Sequence, residues 1–505
     1  MTRAEKRYFK LYTARHSAES GSNHQVIFDA IARMEVYDEA ALLTRFANEA
    51  FTHRFTITKR RLYETILRSL DAFHAESSVD VRLYRQLHHV ELLYQRALYD
   101  DAMKMLLSVR RLAQQHDRTH ALVAAVEWER RLVEGRNYAE VDEADLARRA
   151  AEDTKLVEQL DQINALWNLK SKLFLQLYRN GQARDAKAQT VLSELLAHPL
   201  LKDPAMLTTA KARFLYHHLH SAAAFATGET TTCHAHLTTN LALLNKERER
   251  FIGEPNLVLG VMSNLIYVCI QGGRYAEAFV HLKSFRTLPS QWNMPESDDL
   301  DLKLFSTSTS LELSMYMRLG DFEKALELVP VVERGLAEHD RRMGPVRRAG
   351  FHYQLAYAHF GAGHYDKAMR WINELLNGVR ADDQSDAVCA GRLLQLIVFW
   401  EMGKTDLLNY ALRNTDRYLR LHDRKHRFEP LLLHLMRGLA LAKKAEVRAE
   451  LFHRFHLAVV PLAAEPSEHV VFDHFDPIAW AESKLGGGTF AQRIKLRMRA
   501  MEHAA

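Results

Sequence analysis

Apolar residues along this chain recur at intervals of three and four, the spacing that gathers them on one face of an α-helix. In TITKRRLYETILRSLDAF that face is Ile57, Leu62, Ile66, Leu67 and Leu70, with Thr56 or Thr58 placed to cap the helix. No β-branched runs of the buried-strand kind alternate with the helical stretches. Four segments share one layout: HVELLYQRALYDDAMKMLL, NLIYVCIQGGRYAEAFVHL, ELSMYMRLGDFEKALELV and QLAYAHFGAGHYDKAMRWI. In each, an apolar helix meets Gly or a small residue, an aromatic follows two positions later, and Ala stands three beyond that. The sets are Ala97–Tyr99–Ala102, Gly273–Tyr275–Ala278, Gly320–Phe322–Ala325 and Gly363–Tyr365–Ala368. Fainter copies stand at Gly181–Ala186, Gly228–Cys233 and Gly403–Leu408.

The layout predicts helical hairpins. Gly ends a first helix in the left-handed conformation that other residues resist. The aromatic fills the crevice between the two helices, and the small residue lets the second helix approach the first. Turn glycines at 181, 228, 273, 320, 363 and 403 lie 47, 45, 47, 43 and 40 apart. Ala97 precedes Gly181 by 84, two intervals of 42, so a degenerate hairpin belongs between them. ALVAAVEWERRLVEG, ending at Gly135, fits as its first helix, which makes eight hairpins in all. Most prolines after residue 198 fall between hairpins, whereas Pro330 lies inside a second helix and should kink it.

Over residues 80–445 this arrangement resembles the tetratricopeptide repeat, with a period of 40–47 in place of the usual 34. The resemblance implies an all-α superhelical solenoid whose concave face binds a partner. Residues 1–78 read as an N-terminal helical cap, 79–445 as the repeat array, and 446–505 as a C-terminal cap with an irregular segment and a basic terminal helix. Asp38 is a plausible cap before Glu39 to Phe46, and Gly486–Gly487–Gly488 a flexible joint. The flanks are similar to those of bacterial repeat proteins, a similarity that carries no activity.

Composition agrees with long helices. Gly and Pro together number 32 in 505 residues, too few for the turns of a sandwich, barrel or propeller. The net charge of +5 neither demands nor excludes an anionic partner. Cys233, Cys269 and Cys389 are too scattered for a disulfide framework, which suits a reducing cytosol. No export signal or membrane span is visible, so the expectation is a cytoplasmic protein without membrane insertion.

No catalytic motif is present: phosphate loop, nucleophile elbow, H-E-x-x-H and C-x-x-C are all absent. The expectation is therefore a non-enzyme without a cofactor. A histidine-rich hairpin would bring His220 and His236 together, and with Cys233 they form a metal candidate. The competing reading gives Cys233 the small-residue packing slot and leaves the histidines without ligand spacing. Arg413, Arg417, Arg420, Arg424 and Arg427, at offsets of 4, 3, 4 and 3, would share one helix face able to hold phosphates or an acidic peptide. Asp416 and Asp423 dilute that stripe. Lys59, Arg60 and Arg61 open a helix that could touch nucleic acid.

If the resemblance holds, first-helix residues face the groove. These are Ser171, Tyr178 and Arg179, then Tyr267 and Gln271, then Ser310, Ser314 and Arg318, and then Tyr353, Tyr357 and Phe360. The carboxylate clamp of chaperone-binding family members is not reproduced here. The leading expectation is a protein-interaction scaffold that takes a peptide or protein segment in this groove. The alternative is a regulator with nucleic-acid-contacting N-terminal helices and a ligand-sensing array.

Overall fold

The computed structural model describes residues 1–505 apart from 17–20, 77, 140, 181–185, 379–385, 423, 466–467 and 505. The side chains of some adjoining residues, Tyr178 and Arg179 among them, also lie outside the description, as does the turn at Gly181. The described residues form α-helices joined by turns and short 3-10 segments, with no strand among them. None of these helices is long and apolar enough to cross a membrane. The chain divides into two compact units, Met1–Asp161 and Gln162–Ala505.

In the first unit, Phe9, Ile27, Leu42, Phe51 and Leu62 form one core, supplied by helices Arg3–His16, Gly21–Ala32, Glu39–Arg45 and Phe55–Phe73 and by the 3-10 turn Ala50–Arg54. Asp38 caps as its sequence suggests, accepting a hydrogen bond from Ala41 N. Neither Thr56 nor Thr58 caps the fourth helix, which starts at Phe55. Thr58 instead lies one turn inside and donates to the Arg54 carbonyl. A second core, with Leu83, Val90, Leu106, Val109 and Leu132, holds the hairpin Val79–Tyr94 and Tyr99–Gln115 against helix Thr119–Gly135.

The turn chemistry repeats. In the hairpin of Pro255–Gln271 and Tyr275–Gln291, Arg274 N donates to Cys269 O and Gly273 N to Ile270 O, with Gly273 at φ 71°. This pair of bonds is the Schellman closure, which satisfies carbonyls that a helix end would otherwise leave free. The same pair closes the turns at Gly228, Gly320, Gly363 and Gly403, all with positive φ. It also closes the turn at Ala97, where φ is 57° although the residue has a Cβ.

Three residues past each aromatic, Ala102, Ala278, Ala325 and Ala368 are completely buried, because helix axes approach closely only over a small side chain. The aromatic itself reaches farther than the crevice of its own hairpin. The Phe322 ring lies where a Cβ on Gly361 would be, and the Tyr99 ring packs against Gly135. Each ties its hairpin to the helix that ends the next turn along.

Two further expectations meet the structure. The helix around Pro330 does divide, into Phe322–Glu327 and Val329–Glu338, with Pro330 in the first turn of the second piece. Proline is tolerated there because a first-turn N–H has no intrahelical acceptor. The degenerate hairpin after Gly135 is different. Its turn residues are Asn137 and Tyr138, both with positive φ, and its second helix does not stop. Glu143–Asn180 runs for 38 residues as one helix, absorbing the first helix expected before Gly181.

Beyond the hairpin Asp386–Glu401 and Thr405–Leu421 come Phe428–Leu441 and Ala445–Val459, and then a C-terminal segment. That segment comprises the short helix His469–His474, helix Pro477–Leu485 and helix Phe490–Ala504. It contributes Phe475, Trp480, Phe490 and Ile494 to the core built by residues 302–462.

Candidate functional site

Six of the eleven residues named from the sequence, Tyr267, Gln271, Arg318, Tyr353, Tyr357 and Phe360, lie near one another, and the chain's own C-terminal segment lies against them. Tyr267 and Gln271 end one first helix, Arg318 ends the next, and Tyr353, Tyr357 and Phe360 belong to the third, Pro345–Gly361. Arg318 Nη2 donates to Asp473 Oδ1 at 2.5 Å, and Gln271 Nε2 donates to the same oxygen at 3.1 Å and to the Tyr267 hydroxyl at 2.8 Å. One residue on, the Tyr353 hydroxyl donates to the His474 carbonyl at 2.9 Å. Next, Phe475 packs edge-on to Tyr357 and to Phe360, at 6.1 and 6.0 Å between ring centres. Phe490 stacks on Phe475 at 5.8 Å and on Phe322 at 5.8 Å, closing the aromatic cluster.

Neighbouring contacts hold the segment on both sides. Glu468 is buried and accepts from the backbone N–H groups of Arg427 and Phe428, capping helix Phe428–Leu441 with a carboxylate at its positive end. Asp476 caps helix Pro477–Leu485 through Ala479 N at 2.8 Å. On that helix Trp480 is completely buried and donates from Nε1 to Glu401 at 2.8 Å, while Lys484 pairs with the same carboxylate at 2.6 Å. The glycine joint is held as well, since Arg493 donates to the carbonyls of Gly486 and Gly487.

Burial sets the protonation of this face. It pushes the Tyr267 phenol up to about 12, with Asp473 adding to the effect, and raises Tyr353 and Tyr357 farther. The phenols therefore stay protonated, and that of Tyr353 donates to the His474 carbonyl. Burial also lowers His474 and raises the carboxyl of Asp476. A guanidinium, two amide or phenol donors and a box of rings suit the recognition of a carboxylate, a backbone carbonyl and an aromatic side chain at the end of a short helix.

Other expected residues lie elsewhere. Ser310 and Ser314 accept from Gln354 Nε2 through the carbonyl and the hydroxyl, at 3.0 and 3.2 Å, so they join neighbouring first helices. Ser171 donates to the Trp167 carbonyl on its own helix. Tyr178 and Arg179 lie outside the described side chains.

The arginine stripe is not one face. Helix Thr405–Leu421 ends before Arg424, and Arg427 sits at the cap of the next helix, so the five side chains belong to three different elements. Arg420 pairs with Asp416, Arg424 with Asp386 at 2.8 Å, and Arg427 with Glu465. Lys425 and Arg437 also reach the buried Asp416. Burial works the other way, yet Lys425 and Arg420 together hold that carboxyl below its ordinary value. Arg413 and Arg417 are exposed and make no ion pair among the described residues.

His220 and His236 do meet, stacked at 4.8 Å, and His217 Nδ1 lies 3.0 Å from His236 Nδ1. Cys233 is apart from them and lines a cavity of about 270 Å³ with His218, Phe225 and Tyr267. At the N-terminus Lys59 pairs with Glu39 at 2.5 Å and Arg60 with Glu64 at 3.2 Å, leaving Arg61 of that basic trio without an ion pair among the described residues.

Sequence reasoning passed over Asp473, His474, Phe475 and Phe490. The available signal was D-H-F-D-P, an acidic and aromatic run before a proline cap, within a stretch that otherwise reads as irregular. No protein-family model matches the chain, and no curated protein is detectably similar to it.

Proposed function

We propose that this protein is a non-catalytic, tetratricopeptide-like scaffold. In this reading it binds a peptide or protein segment on the first-helix face formed by Tyr267, Gln271, Arg318, Tyr353, Tyr357 and Phe360. The observation that carries the reading is the seating of Asp473–Phe475 on that face. An ion pair takes the side chain, a phenol takes the backbone carbonyl, and a ring box takes the aromatic residue. The repeated Gly-turn hairpins support the same reading, since such arrays present their first helices as a continuous binding surface. A partner then carries an acidic residue and, two positions on, an aromatic one, and it competes with the chain's own copy. The internal pairing of Lys59 and Arg60 gives the nucleic-acid alternative no support.

The test uses a fluorescein-labelled peptide spanning residues 468–478. The double variant Asp473→Ala/Phe475→Ala loosens the resident segment while leaving Trp480 and Phe490 in place. This variant should bind the peptide with micromolar affinity, and the unaltered chain at least about tenfold more weakly. Adding Arg318→Ala should abolish the gain. Absence of binding by the loosened, still helical variant would sink the proposal.

A further inference from the structure

A set of metal-ligand side chains lies on the Gly228 and Gly273 hairpins. His234 comes from helix Thr230–Lys246, Cys269 from helix Pro255–Gln271, and Glu277 from the first turn of Tyr275–Gln291. One ligand atom from each lies within 4.8 Å of the other two. His234 Nε2 is 2.9 Å from Glu277 Oε1. One turn farther along the same helix, His281 Nε2 is 3.4 Å from that oxygen. Cys269 is completely buried, the two imidazoles are mostly buried, and Glu277 faces the opening.

We infer that His234, Cys269, Glu277 and His281 bind a transition-metal ion of the zinc class. Tetrahedral zinc holds sulfur at about 2.3 Å and nitrogen or oxygen at about 2.0–2.2 Å, which sets its donors roughly 3.3–3.8 Å apart. The ligand atoms of three helix-borne side chains, already gathered within 4.8 Å of one another, lie close to that spacing. Two imidazoles, one thiolate and one carboxylate form a borderline-soft set that favours zinc or cobalt over magnesium or calcium. Thiolate and carboxylate together neutralise a dication, so the ion enters without leaving a buried net charge. Its role is a staple, joining the second helix of one hairpin to both helices of the next.

The site is distinct from the His220, His236 and Cys233 set that the sequence suggests. The helical spacing of Glu277 and His281 signals half of it. Cys269 and His234 are placed by the packing of the hairpins, which the sequence alone does not display.

Cobalt(II) titration of chelator-treated full-length protein tests the assignment. One equivalent should produce a thiolate-to-cobalt charge-transfer band with visible bands of tetrahedral intensity, and zinc should bleach them. Cys269→Ser should remove the charge-transfer band, and His234→Gln should weaken binding at least about 100-fold. Both variants should keep the helical circular dichroism of the parent, and Cys233→Ser should change nothing. No band at saturating cobalt, or a band that survives in Cys269→Ser, overturns the site. In either case the four groups are only a hydrogen-bonded cluster.

Discussion

At the scale of single residues, the hairpin turns are where backbone conformation and residue type meet most directly. Ala97 stands at φ 57° in a turn that elsewhere holds Gly. The left-handed conformation costs an L-residue about 1–2 kcal/mol. Ala97→Gly should therefore stabilise the first unit, less the extra freedom Gly gives the unfolded chain, for a net gain of about 0.5–1 kcal/mol. The reverse change at Gly363, φ 79° with no atom within 4 Å of a new Cβ, should cost about 1–2 kcal/mol from conformation alone. Gly320→Ala should cost more, because its Cβ would also lie 2.8 Å from the Ala491 carbonyl oxygen. Urea midpoints rank the three, and equal losses at Gly320 and Gly363 would contradict the close approach.

Buried histidines make a second prediction at this scale. Burial lowers His218, His236 and His359 from the usual 6.5 to about 4, with Lys170 and Lys211 adding to the effect at His218. Above pH 6.5 each is neutral both folded and unfolded, so it leaves stability unchanged. As pH falls from 6.5 towards 4, the unfolded chain takes up protons that the folded chain refuses, and stability declines until both states are protonated. Melting temperatures should therefore drop across that window. The drop should be smaller in His218→Phe, whose ring would still sit between Phe174 and Phe214. An identical pH profile for that variant would count against a neutral, buried His218.

At the scale of elements, the hairpins were legible because their signals are local. Gly and Ala report a Schellman turn and a close helix approach, and each has its counterpart in the structure; the aromatic, expected in the crevice of its own hairpin, reaches on to the next helix at Phe322 and Tyr99. The 38-residue helix was not legible. A continuous helix and two helices joined by a short turn give the same three-and-four periodicity, and Glu143–Asn180 has no Gly or Pro to mark a break. The arginine stripe misled for the opposite reason. Its spacing is helical through a region where the helix ends at Leu421; Arg420 pairs within its own helix with Asp416, and tertiary ion pairs took Arg424 and Arg427. The seating of Asp473–Phe475 depends on partners 121 to 202 positions away, a separation at which no pattern along the chain identifies a contact. Six residues that meet this segment were nevertheless named from their register on the first helices, because register is a local property. What lies against them is not.

At the scale of the whole chain, two compact units carry separate cores, and the second spends part of its own sequence covering its first-helix face. A face left bare would expose Tyr353, Tyr357 and Phe360, an apolar surface that soluble proteins ordinarily cover or use for binding. Covering it with an ion pair, a hydrogen-bonded carbonyl and one aromatic side chain makes the cover specific. It also limits its strength, since each polar contact contributes only about 1–3 kcal/mol. The most direct measurement is therefore hydrogen exchange at the amides of residues 471–476 in the full-length protein. The account predicts protection in the unaltered chain. It further predicts that Tyr353→Phe, which keeps the ring and removes only the bond to the His474 carbonyl, speeds exchange there by about tenfold for 1.4 kcal/mol lost, while amides of Pro255–Gln271 remain as before. Exchange at the rate of an unstructured peptide in the unaltered chain, or no change in Tyr353→Phe, would contradict it.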